Sequence, residues 1–163
     1  MTARSHRLRV AVLGMPCAAS EPVLAALLGA SGIDVTVVAL AAPGGLDGTA
    51  ALVASDAPDA VVVACFPWRL PARVLAPPRL GRLNVHPSLL PRGRGPEPVF
   101  WTLRRGERET GATVHLMDEG LDTGPILARA SRPVPEGPRA PDLERDLMAL
   151  GGRLLVEALP RLA

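Results

Sequence analysis

Apolar residues in this chain fall into short runs that are separated by Gly, Pro and charged residues. The runs at 34–40 and 60–65 are rich in Val and apolar on both faces, which is typical of buried parallel strands. Shorter or partly alternating runs predict further strands at 8–13, 83–86, 110–117 and 126–134. The pattern therefore predicts a sheet of six strands whose central members are covered on both sides.

Helical segments alternate with these strands. Amphipathic stretches, or stretches bounded by residues that typically start or end helices, predict helices at 21–28, 49–55, 99–105 and 141–159. Ser20 stands where it can cap the first helix, and Pro141 suits a first-turn position of the last one. We therefore expect one α/β domain over residues 1–163, with a doubly wound, mostly parallel sheet flanked by helices.

Length and composition narrow the class of protein. A chain of 163 residues can bury a core without disulfides or a structural metal, and 48% hydrophobic with 21% charged residues excludes general disorder. No apolar run is suited to a membrane span, and residues 1–9 have no following signal-peptide pattern, so a cytoplasmic location is expected. Cys17 and Cys65 match no metal-binding spacing and are expected to be packed thiols.

Charge is distributed unevenly along the chain. Residues 10–68 contain five acidic residues and no Arg, whereas residues 69–108 contain nine Arg and two Glu. The basic middle indicates either an anionic ligand or a solvated Arg-rich surface. Aromatic residues make up only 2% of the chain, which disfavours nucleic acid, and the absence of G-x-G-x-x-G and Walker patterns disfavours dinucleotides and nucleoside triphosphates.

Two segments carry the candidate chemistry. Asn84 and His86 lie two residues apart on a predicted strand, so their side chains point to one face, and Asp122 lies in a Gly-flanked turn before the sixth strand. Doubly wound sheets bind ligands at the carboxyl ends of their strands, where we expect both His86 and Asp122. Asn84 is the only Asn in a chain without Lys, Gln or Tyr. An amide for an oxyanion, an imidazole for protons and a carboxylate to orient it suit acyl transfer to an amine.

Other polar residues have plainer explanations. Ser88 is expected to cap its own loop rather than act as a nucleophile, because no G-x-S-x-G elbow surrounds it. His115 lies within the predicted fifth strand and is expected to be structural or at the rim of the site. No metal site is predicted, because the spacing of the His and Asp residues matches no standard signature. Trp101 either lines the pocket or packs against the domain.

The stretch from 60 to 127 resembles the folate-dependent formyltransferase family, which includes methionyl-tRNA formyltransferases, glycinamide ribonucleotide transformylases and sugar N-formyltransferases. The resemblance rests on the strand at 61–65, Phe-Pro-Trp-Arg-Leu-Pro at 66–71, Asn-Val-His-Pro-Ser-Leu-Leu-Pro at 84–91 and Gly-Leu-Asp-Thr-Gly at 120–124. It implies a Rossmann-like fold, 10-formyltetrahydrofolate as donor, and Asn84, His86 and Asp122 as the catalytic residues. The folate contacts that it implies are Trp68, Arg69, Leu70, Pro71, Ser88, Leu89, Leu90, Pro91, Asp118 and Glu119.

The chain also departs from that family. The region between the second and third strands is short, a glycine-rich phosphate-binding first loop is missing, and no C-terminal accessory domain is expected. These features disfavour a purine-synthesis acceptor and, without a tRNA-binding domain, a nucleic acid. Formyl transfer to a primary amine of an unidentified acceptor is the main expectation. A nucleotide-linked amino sugar or another small anionic metabolite would fit the Arg-rich middle, and the stretch at 96–113 resembles the methionyl-tRNA and sugar formyltransferase branches most. A formyltetrahydrofolate deformylase and a non-catalytic folate-binding remnant remain as alternatives, and the oligomeric state is not predicted.

Overall fold

Six strands form one sheet in the computed structural model, which describes residues 7–40, 46–66 and 78–163. The strands are β1 (Leu8–Gly14), β2 (Ile33–Leu40), β3 (Ala60–Ala64), β4 (Arg82–His86), β5 (Glu109–Leu116) and β6 (Ile126–Pro133). The helices are α1 (Glu21–Gly29), α2 (Leu46–Asp56), α3 (Pro98–Arg104) and α4 (Ala140–Ala158), and a 3-10 turn (Leu159–Arg161) follows α4. Each predicted strand and helix is present, with ends that move by a few residues.

The strand order is β2-β1-β3-β4-β5-β6. The first four strands run parallel, whereas β5 is antiparallel to β4 and β6 is antiparallel to β5. The mostly parallel α/β sheet is therefore confirmed. The expectation that the direction of β5 alone brings Asp122 to the same edge of the sheet as His86 is wrong, however, because Leu116 at the carboxyl end of β5 pairs with Leu83 near the beginning of β4. The end of β5 and His86 thus lie at opposite ends of the same strand pair.

Helices cover both faces of the sheet, as the sequence pattern predicts. On one face, Val10, Val62 and Val85 share a buried apolar cluster with residues of α1 and α4. On the other face, Leu13 and Val63 belong to a cluster that includes residues of α2. None of the helices in the described segments combines the length and the hydropathy that crossing a membrane requires.

The polar side chains of β4 lie on the α2 face of the sheet. Leu83 and Val85 are buried in the cluster under α1 and α4, so the alternating residues Asn84 and His86 point to the opposite face. His115 pairs with Asn84 across the antiparallel β4–β5 ladder and lies on the same face. This part of the face is covered by the loops at 87–97 and 117–125, so loop residues can reach the polar side chains.

Ser20 does not cap α1 through its side chain. Its backbone is helical, and its single hydroxyl hydrogen is shared between the carbonyl oxygens of Met15, 2.7 Å from Oγ, and Cys17, 2.9 Å from Oγ. The turn after β1 brings these two carbonyls within reach of the hydroxyl group, which therefore stabilises the turn rather than the first N–H groups of the helix.

Candidate active site

Asp122 reaches the polar face because the loop between β5 and β6 turns back over the sheet. Asp118 Oδ1 accepts hydrogen bonds from the Gly120 N–H, at 2.9 Å, and from Thr123 Oγ1, at 2.6 Å, which closes the loop on itself. Asp122 adopts a left-handed backbone conformation with φ of 53°, which Asp tolerates better than most residues. Gly124 approaches the carbonyl of Leu116 so closely that a Cβ there would clash with the oxygen.

The carboxylate of Asp122 lies among groups from three other segments. Its Oδ2 accepts a 2.8 Å hydrogen bond from the Gly95 N–H and lies 3.7 Å from His86 Nδ1. Its Oδ1 lies 3.4 Å from Asn84 Nδ2 and 3.6 Å from His115 Nε2. The structure thus brings Asn84, His86 and Asp122 together, and their side chains are largely buried.

His86 is oriented so that an unprotonated ring nitrogen faces Asp122. Its Nε2 lies 2.8 Å from the carbonyl oxygen of Gly93, which can only accept, so Nε2 carries the hydrogen of the neutral ring. Nδ1 therefore presents a lone pair toward the carboxylate. Burial lowers the pKa of His86 below its ordinary value, although Asp122 and the Gly93 carbonyl act in the opposite direction. The neutral, proton-accepting form is favoured near neutral pH.

Asp122 remains ionised in the same surroundings. Burial acts to raise the pKa of its carboxyl group, but His115 and His86, in the forms that carry a proton toward it, and the Gly95 N–H act to lower that pKa, and the lowering effects prevail. A carboxylate that is both ionised and fixed can stabilise an imidazolium that forms beside it. The pair can therefore take up a proton at His86 Nδ1 and keep it in place.

The loop after His86 is fixed to the sheet by hydrogen bonds. The hydroxyl hydrogen of Ser88 is shared between the carbonyls of Arg92, 2.9 Å from Oγ, and Gly93, 3.2 Å from Oγ, as expected for a residue that caps its own loop. Thr113 Oγ1 donates to the Ser88 carbonyl at 2.7 Å and accepts from the Leu90 N–H at 3.1 Å. Because Gly93 bonds to His86, this bracing also sets the orientation of the imidazole.

The residues expected to contact folate are placed unevenly. Trp68, Arg69, Leu70 and Pro71 lie outside the described residues. Ser88 and Leu90 are buried, Leu89 is half-buried against Gly111, and Pro91 is exposed. Asp118 and Glu119 are exposed on the loop that carries Asp122, where Asp118 braces the turn. The expected contacts that are described therefore belong to the two loops over the polar face.

The remaining expectations concern Trp101, the two cysteines and metal binding. Trp101 is 46% exposed on α3, where it packs edge-on against Phe100 and under the guanidinium of Arg105. Cys17 and Cys65 are free, partly buried thiols that pack on the core cluster. Within the described segments, no group of three or more His, Cys, Asp or Glu side chains could hold a metal ion.

His115 belongs to the site, although its sequence position favoured a structural role or a place at the rim. It is only 2% exposed, and its Nε2 lies 3.2 Å from Asn84 Nδ2. The signal that could have found it is the cross-strand pairing with Asn84, which depends on an antiparallel register that no local pattern specifies.

The family model and the curated proteins that this chain resembles carry descriptions that agree with one another. A family model described as "Formyl transferase" matches residues 46–159. The methionyl-tRNA formyltransferase of Novosphingobium aromaticivorans is 49% identical over 135 residues, which cover 82% of this chain and 43% of that protein. The methionyl-tRNA formyltransferase of Aromatoleum aromaticum is 47% identical over 112 residues, covering 69% and 35%. This chain thus spans less than half the length of these curated relatives.

Solved structures share the fold over nearly the whole chain. Glycinamide ribonucleotide transformylase 1 from Symbiobacterium toebii superposes with a TM-score of 0.76 at 25% identity, covering 98% of this chain and 89% of that one. Phosphoribosylglycinamide formyltransferase from Brucella melitensis gives a TM-score of 0.76 at 27% identity, covering 95% of each chain. HypX from Aquifex aeolicus, at 22% identity and a TM-score of 0.79, shares the fold over 95% of this chain and 26% of its own.

Proposed function

Because this chain belongs to the formyl transferase family, we propose that it transfers a formyl group from 10-formyltetrahydrofolate to a primary amine. The observation that carries the proposal is the convergence of Asn84, His86 and Asp122 on one face of the sheet. An amide donor, a neutral imidazole and an ionised carboxylate are the groups that amine attack on a formyl carbonyl requires.

Asn84 supplies the donor for the oxygen of the formyl group. One of its N–H groups is directed at His115 at 3.2 Å, whereas the contact with Asp122 is longer, at 3.4 Å. The formyl oxygen can replace the weaker of these two contacts as it gains negative charge in the tetrahedral intermediate. A fixed donor at this point stabilises that charge more than it stabilises the neutral carbonyl.

His86 supplies the base. The amine nitrogen forms a bond to the formyl carbon, and its proton moves to Nδ1, the bare nitrogen that faces Asp122. The C–N10 bond of the donor then breaks, and the proton passes to the departing N10. The products are an N-formyl amine and tetrahydrofolate, so atoms and charge balance. The imidazolium that forms in between is stabilised by the ionised Asp122 at 3.7 Å.

The two loops over the polar face provide the surface for the donor. The loop at 87–97 is hydrogen-bonded to Asp122 twice. The Gly95 N–H donates to its carboxylate, and Arg94 Nε donates to its backbone carbonyl at 3.0 Å. Leu121, beside Asp122, is 53% exposed and offers an apolar contact to a flat ring. Backbone groups and apolar side chains of these loops thus suit a pterin whose N10 substituent points at Asn84.

The acceptor is a primary amine, and methionyl-tRNA is the first one to test. The support is the identity of 47% and 49% to enzymes with that name. Nucleotide-linked amino sugars are the second class to test, because Arg92 and Arg94 expose positive charge on the loop that borders the site.

The experiment is a screen of these amines with 10-formyltetrahydrofolate, read as release of tetrahydrofolate. We expect release that depends on one acceptor class and that Asp122→Asn lowers by about 10²-fold. The matched control is Asp142→Asn, which makes the same change on the exposed surface of α4 and keeps the wild-type rate. Formate release without amine, or folate binding without turnover, would contradict formyl transfer.

A further inference from the structure

We propose that His115 is a positioning residue that fixes the side-chain amide of Asn84 with its NH2 group toward the reaction centre. The role rests on the proposed formyl transfer, since it concerns the donor of that reaction. His115 touches Asn84 rather than the reacting atoms in this arrangement, and it acts on the reaction through Asn84.

The hydrogen bonds of His115 determine which of its nitrogens can accept. Nδ1 lies 2.9 Å from the carbonyl oxygen of Leu116, and a carbonyl only accepts, so Nδ1 carries the hydrogen of the neutral ring. Nε2 is then a lone pair, and it lies 3.2 Å from Asn84 Nδ2. The ring is 2% exposed, so water does not substitute for this contact.

Two acceptors on the same side select one orientation of the amide. His115 Nε2 and Asp122 Oδ1, at 3.2 and 3.4 Å, both face the nitrogen end of Asn84. Rotating the amide by half a turn would place its carbonyl oxygen against a lone pair and against a negative charge. Both contacts would then be repulsive, so the NH2 end stays where a formyl oxygen can meet it.

The two acceptors contribute differently. The contact with His115 is the shorter one and occupies one hydrogen of the NH2 group in a hydrogen bond. The second hydrogen is directed at Asp122 over the longer distance and is the one available to substrate. Without His115, Asp122 is the acceptor that remains for this NH2 group among the described residues, and binding of the formyl oxygen competes with the contact that holds the amide.

The sequence itself provides a direct reporter for this arrangement. Asn84 is the only Asn and the chain has no Gln, so an amide-resolved ¹⁵N spectrum contains one side-chain NH2 pair. The chain has three His, so imidazole nitrogens can be assigned by single substitutions. The purification tag must contain no Asn, Gln or His, or must be cleaved off, so that the NH2 pair and the imidazole signals come from this chain alone.

The first test measures this reporter and needs no turnover. In the wild type we expect His115 as the Nδ1–H tautomer, seen in long-range ¹H–¹⁵N correlations. His115→Met, which fills similar volume and offers only a weakly accepting sulfur, should shift the NH2 pair and speed its exchange with water. His115→Gln, whose Oε1 can accept, should restore slow exchange of the Asn84 pair, which selective ¹⁵N-asparagine labelling separates from the NH2 pair that this substitution adds. An Nε2–H tautomer in the wild type, or an unmoved NH2 pair in a folded His115→Met protein, would overturn the proposal.

The second test separates positioning from general stability. We expect His115→Met to lower kcat by about 10-fold, with the KM for the folate donor changed by less than about 3-fold, and His115→Gln to recover most of the loss. In the Asn84→Ala background, His115→Met should have no further effect, because the residue that it orients is gone. Equal losses in both backgrounds would show that His115 acts independently of Asn84. If the wild type transfers no formyl group, the proposed reaction fails, and the ¹⁵N spectra still decide the positioning.

Discussion

Asp122 joins the parts of the site at the scale of single residues. One carboxylate oxygen accepts from Gly95, and the other faces Asn84 and His115, so the two loops and two strands meet at this side chain. The sequence predicted that Asn84 and His86 share a face, and the prediction is correct because strand alternation is a local property. His115 could not be predicted in the same way, because its place beside Asn84 depends on the register of a neighbouring strand.

Asn84→Ala tests the oxyanion donor. We expect turnover to fall by roughly 10²–10³-fold, because the negative charge on the formyl oxygen loses a fixed N–H donor. The affinity for the folate donor should change little, since that interaction strengthens only in the transition state. Steady-state kinetics combined with equilibrium titration of the donor provide the measurement. A variant that loses folate affinity but keeps its kcat would assign Asn84 to binding instead.

His86→Ala tests the proton acceptor. We expect turnover to fall by about 10²-fold or more, because the amine proton loses the base at Nδ1. Added imidazole should restore part of the rate if the alanine leaves room for it. The assay is tetrahydrofolate release at saturating donor and acceptor. Retention of the wild-type rate by a folded variant would remove His86 from the mechanism.

The decisive feature at the scale of elements is the direction of β5. The sequence pattern predicts the strands and turns correctly. The expectation that Asp122 lies at the ligand edge, however, requires β5 to run parallel to β4. The antiparallel pairing sends the end of β5 the other way, and the loop at 117–125 must turn back to deliver Asp122. Strand direction could not be predicted from an apolar run, because both orientations bury the same side chains.

Gly124→Ala tests this loop. A Cβ at this position would clash with the Leu116 carbonyl oxygen, so the backbone must shift, and we expect a loss of about 1–3 kcal/mol in the free energy of unfolding together with reduced turnover. Gly29→Ala is the matched control. No described residue comes within 4 Å of a Cβ at the end of α1, so stability should stay the same or rise by up to about 1 kcal/mol. Urea unfolding of both variants is the measurement, and equal stabilities would contradict the close approach at Gly124.

For the whole molecule, the buried neutral His86 links stability to pH. Its pKa in the folded state is lowered, mainly by burial, so the unfolded chain takes up this proton first as the pH falls. The contribution of His86 is therefore fully present above its unfolded pKa of about 6.5 and is lost as the pH falls through the lowered folded value. The direction is a loss of stability on acidification.

The pH prediction is checked by urea unfolding between pH 7.5 and pH 5, values that span the ordinary histidine pKa of about 6.5. We expect the wild type to lose stability over this range with a slope of at most about 1.4 kcal/mol per pH unit from His86. His86→Gln cannot titrate and should show a shallower slope, whatever its absolute stability. Identical slopes in the two proteins would mean that His86 is not held neutral by the fold.

The fold class was predictable for the whole molecule because alternating apolar runs and helical segments are repeated along the chain. The packing of Asp122 against two histidines was not, because it arises from loops whose path is set by tertiary hydrogen bonds such as those of Thr113 and Gly95. The same dependence on tertiary contacts explains why the predicted Ser20 cap is absent: the Ser20 hydroxyl group bonds to nearby backbone carbonyls instead of to the first N–H groups of the helix.

The most direct measurement follows the formyl group itself. The donor carries ¹³C in its formyl carbon, and a single turnover with the acceptor identified in the screen is quenched and analysed by NMR and mass spectrometry. We expect the label to appear in an N-formyl product only when the amine is present, and we expect Asn84→Ala to slow this step without diverting the label. Label released as formate regardless of amine, or retained on the folate, would contradict formyl transfer by this site.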